Sequence, residues 1–549
     1  MPRPVPHPVP RIARIAAADL AAGRIGRREF LSRATMAGLG GAAAAALGGL
    51  PRPAAAEKTP VAGGTLRIQM ELRALKDPRT WDWTQLANVC RGWLEYLVAY
   101  ERDGSFRGML LDRWEVNDDA TLYRLILRDG VTWQTGAPFT ASDVAWNLAR
   151  WAERDAPGNS MAGRLASLVD PATGRLGEGT VTVVNDLTVD LRPRRPDVTL
   201  IAGLSDYPAA VLHPSYDGGD PTAFPGTGPY VPEGYVAGER AALVRARGHD
   251  WWGTEVVGGP WLDRIEFLDL GTDPMAHVRA LDAGRIDVID ETSGRQADAL
   301  DALGFVRSEV ETAATCVIRA NAASGIAAYA DPAVRRALAL AVDNAVCLEI
   351  GLHGAGEVAA NHHCAPIHPD HADIGPAPHD PAEALGLLRA AGAAEVEHEL
   401  ISIDDEWQSL TADAVAAMLT DAGVRVRRRR LPGQDFWAGW RDWPFSATEW
   451  NMRPLAIQVL SLAYVTGSAW NETGYANPDF DAAVVEALAI PDAAARAGVM
   501  ARLERMLRDD GVIIQPYWRR LIRHHRAGVV GAEAHPMREL RLFELGFEA

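Results

Sequence analysis

Two stretches of this 549-residue chain carry side chains whose types and spacing suit chemistry. One is Asn361-His362-His363-Cys364-Ala365-Pro366-Ile367-His368, with His371 and His379 beyond it. Imidazoles and thiolates bind Zn²⁺, Ni²⁺ or Cu²⁺, which makes His362, His363 and Cys364 a candidate metal set. Adjacent residues of a strand point apart, however, and no regular spacing such as Cys-x-x-Cys accompanies them. A plain surface loop is therefore a simpler reading of this stretch than a metal site; no metal and no cofactor is expected. The other stretch is Glu449-Trp450-Asn451-Met452-Arg453-Pro454. An arginine in a cleft offers a planar fork of donors suited to a carboxylate or phosphate. The alternative is that Arg453 pairs with Glu449 or a neighbouring acid and touches no ligand. Trp450, Trp470 and Asn471 are candidates for apolar walls and a polar contact, since pockets are aromatic-lined with a few placed polar groups.

A catalytic constellation is missing. There is no Gly-x-Ser-x-Gly elbow, no P-loop and no His-Glu-x-x-His; His398-Glu399 lacks the second histidine. Gly158-Asn159-Ser160-Met161-Ala162-Gly163 has the wrong spacing for a nucleophile elbow. An exported hydrolase stays open only as an alternative that tertiary geometry would have to supply.

Charge narrows the field further. The chain has a net charge of −17, and its first 56 residues hold eight arginines against Asp19 and Glu29. The remainder is therefore strongly acidic and should repel nucleic acid and anionic lipid. The opening reads as an address. Gly26-Arg27-Arg28-Glu29-Phe30-Leu31 precedes an Ala/Gly-rich run from Ala34 to Leu50 and then Pro51-Arg52-Pro53-Ala54-Ala55-Ala56. A basic region, a mild apolar run and a small-residue site make an export signal, and the paired arginines resemble the twin-arginine type. The run is too short and too rich in Ala and Gly to span a bilayer. Cleavage is expected near Ala56, leaving a soluble periplasmic protein. Four cysteines follow, Cys90, Cys316, Cys347 and Cys364, and are expected to be unpaired thiols because so few do not make a disulfide scaffold.

The elements that must position these residues alternate between strand and helix. Gly63-Gly64 turns into a strand from Thr65, and short antiparallel strands are predicted from Leu97 to Leu127. Thr140-Ala141-Ser142-Asp143 is a capping-box start, and Val181–Val184 with Thr188–Leu191 reads as a hairpin around Asn185-Asp186. Asp331-Pro332 opens a helix predicted to run through Leu340 to Leu348, and Asp380-Pro381 opens another that ends at Ala391-Gly392. A strand at Leu400–Ile403, a helix over Thr411–Ala422 and a strand at Val424–Val426 follow. Two helices near Phe480–Ala489 and Asp492–Leu507 precede a last strand, Val512-Ile513-Ile514. The Arg427–Arg430 run is read as a solvated strand edge or turn.

Six stretches in register resemble the family 5 extracellular solute-binding proteins of ABC importers, the dipeptide, oligopeptide, nickel and opine binders. They are Gly64-Thr65-Leu66; Leu97 through Asp143; Gly226-Thr227-Gly228-Pro229-Tyr230; Asp331 through Leu338; Asp380 through Ala384; and Gly423-Val424-Arg425-Val426. The resemblance implies an α/β, two-lobed periplasmic-binding-protein fold (type II, cluster C) with an extra α+β domain inserted in the first lobe. By position, 57–95, 225–312 and 520–549 would form lobe I, 96–224 the extra domain and 313–519 lobe II. It also implies a monomer that closes on a short peptide or amino-acid-like solute and presents it to a membrane permease, with a metal or nickel-chelate binder as the alternative. In dipeptide binders of the family, a Trp at the place of Trp450 is followed three residues on by an Asp that anchors the peptide amino group. Here that place is Arg453, and the family's carboxylate-reading Arg falls near Asp404-Asp405-Glu406. The implied polarity is reversed, toward a ligand with an anionic group. Asp405, Glu449 and Asn451 are candidate contacts on lobe II, with Trp81-Asp82-Trp83 and Asn88 facing them from lobe I. In the family the loop after the long second-lobe helix approaches the pocket, which makes His362 and His363 candidate polar ligand contacts as well.

Overall fold

The computed structural model describes residues 9–50 and 60–549; the expected cleavage point near Ala56 lies outside the described residues. The architecture rests on two sheets. The larger has eight strands, ordered Tyr230–Val236, Arg240–Arg245, Arg264–Leu268, Thr65–Gln69, Val288–Thr292, Tyr517–His525 and Val306–Glu311, with Gly356–Val358 also pairing to Tyr517–His525. Thr65–Gln69 runs parallel to both of its neighbours. The smaller sheet is ordered Thr315–Ala320, Phe445–Trp450, Glu397–Ile403 and Arg425–Leu431, and Glu397–Ile403 is parallel to both flanking strands. Helices at Pro332–Leu340, Asn344–Leu352, Pro381–Ala390 and Glu406–Asp421 share a core with it. The chain crosses between the sheets at 312–314 and returns at 515–516. The two crossings lie side by side, with the Thr312 hydroxyl donating to the Arg519 carbonyl (2.7 Å).

A four-stranded antiparallel sheet of Leu111–Val116, Tyr123–Leu127, Thr188–Leu191 and Val181–Asn185 stands beside the larger one. Local chemistry accounts for its boundaries. Asp143 accepts from the Thr140 N–H (2.8 Å), starting the helix Ala141–Trp151. Gly226 and Gly228 lie against the backbone at Gly92 and Trp93, so close that a Cβ on Gly226 would come 1.7 Å from the Trp93 carbonyl oxygen. That contact is why the Gly-Thr-Gly-Pro motif tolerates no side chain there.

The structure departs from the sequence reading in two elements. The helix expected to run from Pro332 to Leu348 is two, because Asp343 caps a new start by accepting from the Ala345 N–H (2.9 Å). The last strand is Tyr517–His525, whereas Ile514 makes only an isolated bridge to Ile318. Arg425–Leu431 is an edge strand, in keeping with the arginine run. All four cysteines are unpaired and buried. The arginine-rich N-terminal residues form helices at Arg11–Ala21, Arg27–Met36 and Gly41–Leu47, and Arg28 donates to the Arg102 carbonyl (2.7 Å) and the Tyr100 hydroxyl (3.1 Å). Among the described residues no helix is long and apolar enough to cross a membrane.

Candidate binding cleft between the sheets

A cavity of about 660 Å³ opens between the two sheets. Its walls come from the carboxyl ends of parallel strands, the place where open α/β sheets hold ligands. From the larger sheet these are the residues after Thr65–Gln69 (Glu71, Arg73), after Arg264–Leu268 (Asp269) and at the end of Val288–Thr292 (Asp290, Glu291). From the smaller sheet they are Asp405 to Gln408, the short helix Gly433–Ala438 (Gly433, Gln434, Trp437) and Glu449. Its size falls within the usual range for small-molecule sites, roughly 300–1,000 Å³.

The two sides touch through aromatic and polar contacts. Trp83 meets Trp437 edge-on, with ring centroids 4.0 Å apart, and the Arg73 guanidinium lies 4.2 and 4.6 Å from those two rings. Asn451 donates across the gap to the Thr84 hydroxyl (3.3 Å). Under the floor, Arg519 pairs with Glu449 (2.8 Å) and with Glu291, joining the two sheets at the crossing strands. Arg538 completes that network with Asp290 (3.0 Å), Glu291 (3.0 Å) and Glu449 (3.4 Å).

Asp405 caps the helix Glu406–Asp421, accepting from the Gln408 N–H (3.0 Å) and from the Gln408 side-chain amide (2.7 Å). Burial pushes its carboxyl up to about 7, against the pull of those hydrogen bonds and helped by the nearby Glu71 charge. Glu449, 8% exposed, is raised too: burial dominates, Asp405 and Glu71 add to it, and Arg538 opposes it. Glu71, reaching in from the other side of the cleft, disfavours the charge of both.

Beneath this cavity lies a second, much smaller one of about 20 Å³, which shares Asp82, Trp83 and Glu449 with it. Trp440, Trp450, Trp470 and Tyr207 form its walls, together with Asn451 and Arg453. Arg453 is not free to bind an anion. It is 2% exposed, its Nε donates to Asp206 (2.9 Å), and its Nη1 donates to the Asn451 and Met452 carbonyls (2.8 and 3.1 Å). Asp206 also binds Arg164 (2.7 Å); burial alone would raise its pKa, yet the two guanidinia hold it below the ordinary carboxylate range. Arg453 thus pairs with an acid, as the alternative reading had it, but the partner is Asp206 instead of Glu449.

The other candidates divide clearly. Trp83, Asp405 and Glu449 line the large cavity; Trp450, Asn451 and Trp470 line the small one. The Trp450 indole N–H donates to Glu472 (2.6 Å), which Arg319 holds from behind (3.2 Å). Asn471 lines neither; its amide nitrogen serves the Val465 and Tyr475 carbonyls (3.2 and 2.8 Å). Trp81 and Asn88 are wholly buried, the latter bonded to the Arg538 and Leu540 backbone (2.9 and 3.1 Å). His362 and His363 line neither cavity. Both are 2% exposed, burial drives each pKa down to about 3, and His363 bonds the Tyr464 hydroxyl (2.6 Å). Cys364 is buried as well, and among the described residues no three His, Cys, Asp or Glu side chains converge as metal ligands. Sequence reasoning missed Glu71, Gln408, Trp437 and Arg538 altogether.

The profile of the bacterial extracellular solute-binding proteins, family 5 Middle, matches residues 105–472. The chain belongs to the family 5 extracellular solute-binding proteins. Among curated relatives, the peptide transport periplasmic protein SapA of Salmonella typhimurium is 24% identical over 439 residues, covering 72% of this chain and 76% of SapA. The dipeptide-binding protein DppE of Bacillus subtilis is 20% identical over 480 residues, covering 83% of this chain and 86% of DppE. Among solved structures, Haemophilus influenzae OppA in complex with RPPGFSPFR superposes with a TM-score of 0.80 at 19% identity, over 88% of this chain and 99% of that one. The fold is accordingly the two-lobed α/β fold of the periplasmic binding proteins, and the sheets described above are the cores of its lobes. The binding protein works in the periplasm as the solute-capturing component of an ABC importer, with a membrane permease as its partner. The family consists of solute-binding proteins, not enzymes.

Proposed function

We propose that the binding protein captures a short peptide or an amino-acid-like polar solute in the 660 Å³ cavity between its lobes and releases it chemically unchanged to the permease. The observation that carries this reading is the cavity's position. It lies where strand ends of both lobes converge over two adjacent crossing strands, so a bound solute touches both lobes and favours their closure by contacts absent from the open state. The names of SapA and DppE, a peptide transport protein and a dipeptide-binding protein, support the peptide class. The lobe segments are those given above, with 57–95, 225–312 and 520–549 in lobe I, 96–224 as the extra domain and 313–519 in lobe II, and the leader is of the twin-arginine type. Glu71, Asp405, Gln408, Glu449, Trp83 and Trp437 form the contact surface.

A thermal-shift screen of di- and tripeptides tests this reading, because a ligand that binds only the folded state raises the melting temperature by mass action. Stabilisation by at least one peptide, recovered intact by chromatography, is the expected result. Conversion of the peptide to fragments would replace the reading with hydrolysis, and stabilisation by Ni²⁺ alone would replace it with metal capture.

A further inference from the structure

The large cavity is lined by eight carboxylate side chains but only three cationic ones, Arg73, Lys76 and Arg538. Three more arginines reach lining carboxylates from outside the cavity: Arg295 to Glu406 (2.9 Å), Arg519 to Glu449 (2.8 Å) and Arg523 to Asp290 (3.1 Å). Six cations therefore face eight carboxylates. Asp405 and Asp269 have no cationic partner within 4.0 Å among the described residues. Asp269 is spent on backbone, accepting from the Leu72 and Gly271 N–H groups (2.8 and 3.0 Å). Asp405 is different, because it borders an unmet acceptor. Gln408 lines the cavity, is 2% exposed, and donates its amide to Asp405; its own Oε1 has no hydrogen-bond partner. A buried carbonyl oxygen left without a donor is costly, on the order of 1–3 kcal/mol. Glu71, from lobe I, reaches the same side, since its Oε1 lies 3.6 Å from where a Cβ on Gly433 would stand. Glu71 already holds Arg73 (3.0 and 3.1 Å) and Glu449 holds Arg519 (2.8 Å), so within this group it is Asp405 and the Gln408 oxygen that lack a donor carrying positive charge.

Resting on the reading that this cavity is the solute site, we propose that its solute carries a cationic side chain: a short peptide, or a similar small molecule, whose side-chain ammonium or guanidinium group, as distinct from a peptide's terminal amine, lodges among Glu71, Asp405, Glu449 and the Gln408 carbonyl. Such a group supplies the missing donors and neutralises carboxylates contributed by both lobes. Without it, closing the cleft gathers like charges into a site shielded from water. With it, the same closure is attractive, so the ligand's charge itself latches the lobes. The surrounding charges support this assignment. Asp405 is faced by Glu71 and Glu449, and Glu449 by Asp405, Glu71, Arg73, Arg519 and Arg538. The arginines among them are shared with Glu71, Asp290 and Glu291, leaving Asp405 as the uncompensated charge.

Calorimetric titration of the full chain at pH 7.5 tests the proposal with four probes: tripeptides carrying lysine, alanine or glutamate at the centre, and cadaverine. The lysine tripeptide is expected to bind at least tenfold more tightly than trialanine, and the glutamate tripeptide more weakly than either. Asp405→Asn, which keeps a helix-capping side chain but removes the charge, should weaken the lysine tripeptide about tenfold and shrink its advantage over trialanine. Glu71→Gln should act in the same direction from the other lobe. Equal affinity for the three tripeptides, or preference for the glutamate one, overturns the charge assignment and leaves the peptide reading standing. Binding of cadaverine with no binding of any tripeptide supports the charge assignment and overturns the peptide reading. No binding by any probe overturns both.

Discussion

The cavity between the lobes and the small aromatic pocket beneath it share Asp82, Trp83 and Glu449, yet their charges are settled in opposite ways. In the small pocket every charge has found its partner within the protein. Arg453 and Arg164 converge on Asp206, and both guanidinia stack near the Trp470 ring, at 5.4 and 4.9 Å. In the large cavity the carboxylates outnumber the cations, and the Gln408 oxygen waits without a donor. The first ties Arg164 and Asp206 to Arg453, just past the strand Phe445–Trp450 of the smaller sheet, and is satisfied before any solute arrives. The second is a site that a solute completes. An arginine beside a tryptophan is therefore no evidence of an anion site until the acid that owns it has been sought.

The largest effect that would break this comparison lies in the Arg453–Asp206 pair. Removing Arg453 leaves Asp206 with one partner in a dry interior, and breaking a buried pair in this way costs about 3–5 kcal/mol. Arg453→Ala should therefore lower the urea midpoint sharply, and the protein that still folds should keep its order of preference among the three tripeptides. A loss of binding without loss of stability would return Arg453 to the ligand.

Asp405 sharpens the contrast through pH. Its pKa in the folded protein, about 7, lies above the ordinary carboxylate value, so its contribution to stability is complete at low pH and is lost as pH rises through about 7. Asp405→Asn should accordingly be more stable than the native chain at pH 8, by about 1–2 kcal/mol once partial exposure is allowed for, and the difference should vanish toward pH 4. Trp437→Ala opens the contact with Trp83 and Arg73, and an aromatic pair of that kind is worth about 0.5–1.5 kcal/mol beyond its buried area. Stability should fall by about that much or more, and tripeptide affinity several-fold in titration. The smallest effect is expected at Thr84→Val. Its hydroxyl receives a single long bond from Asn451, so about 0.5 kcal/mol of affinity should be lost.

The fold was largely legible in the sequence, because its signals are local. Asp331-Pro332 and Asp380-Pro381 start helices through hydrogen bonds two or three residues away, and the Val181–Leu191 hairpin turns on its own Asn185-Asp186. The failures share a cause. Tyr517–His525 holds three arginines and two histidines, a poor strand by composition, but Arg519 and Arg523 are buried against Glu449 and Asp290 from distant elements. Of the cleft, Trp83, Asp405 and Glu449 were found through aromatic clustering and family resemblance. Glu71, Gln408, Trp437 and Arg538 were not, since each comes from a separate chain segment and only the sheet topology assembles them. The burial of His362 and His363 was not legible, because a pair of imidazoles looks the same in sequence whether it faces solvent or the core. The Asp343 cap was there to be read, but the apolar run on both sides of it hid the break.

Titrating the lysine-centred tripeptide and trialanine into the full chain at pH 6.5, in two buffers that differ in ionisation enthalpy, tests the account most directly. A cation settling beside Asp405 and Glu449 lowers their pKa values, so the lysine peptide should bind at least tenfold more tightly and release protons to the buffer. Equal affinities, with heats that do not depend on the buffer, would contradict it.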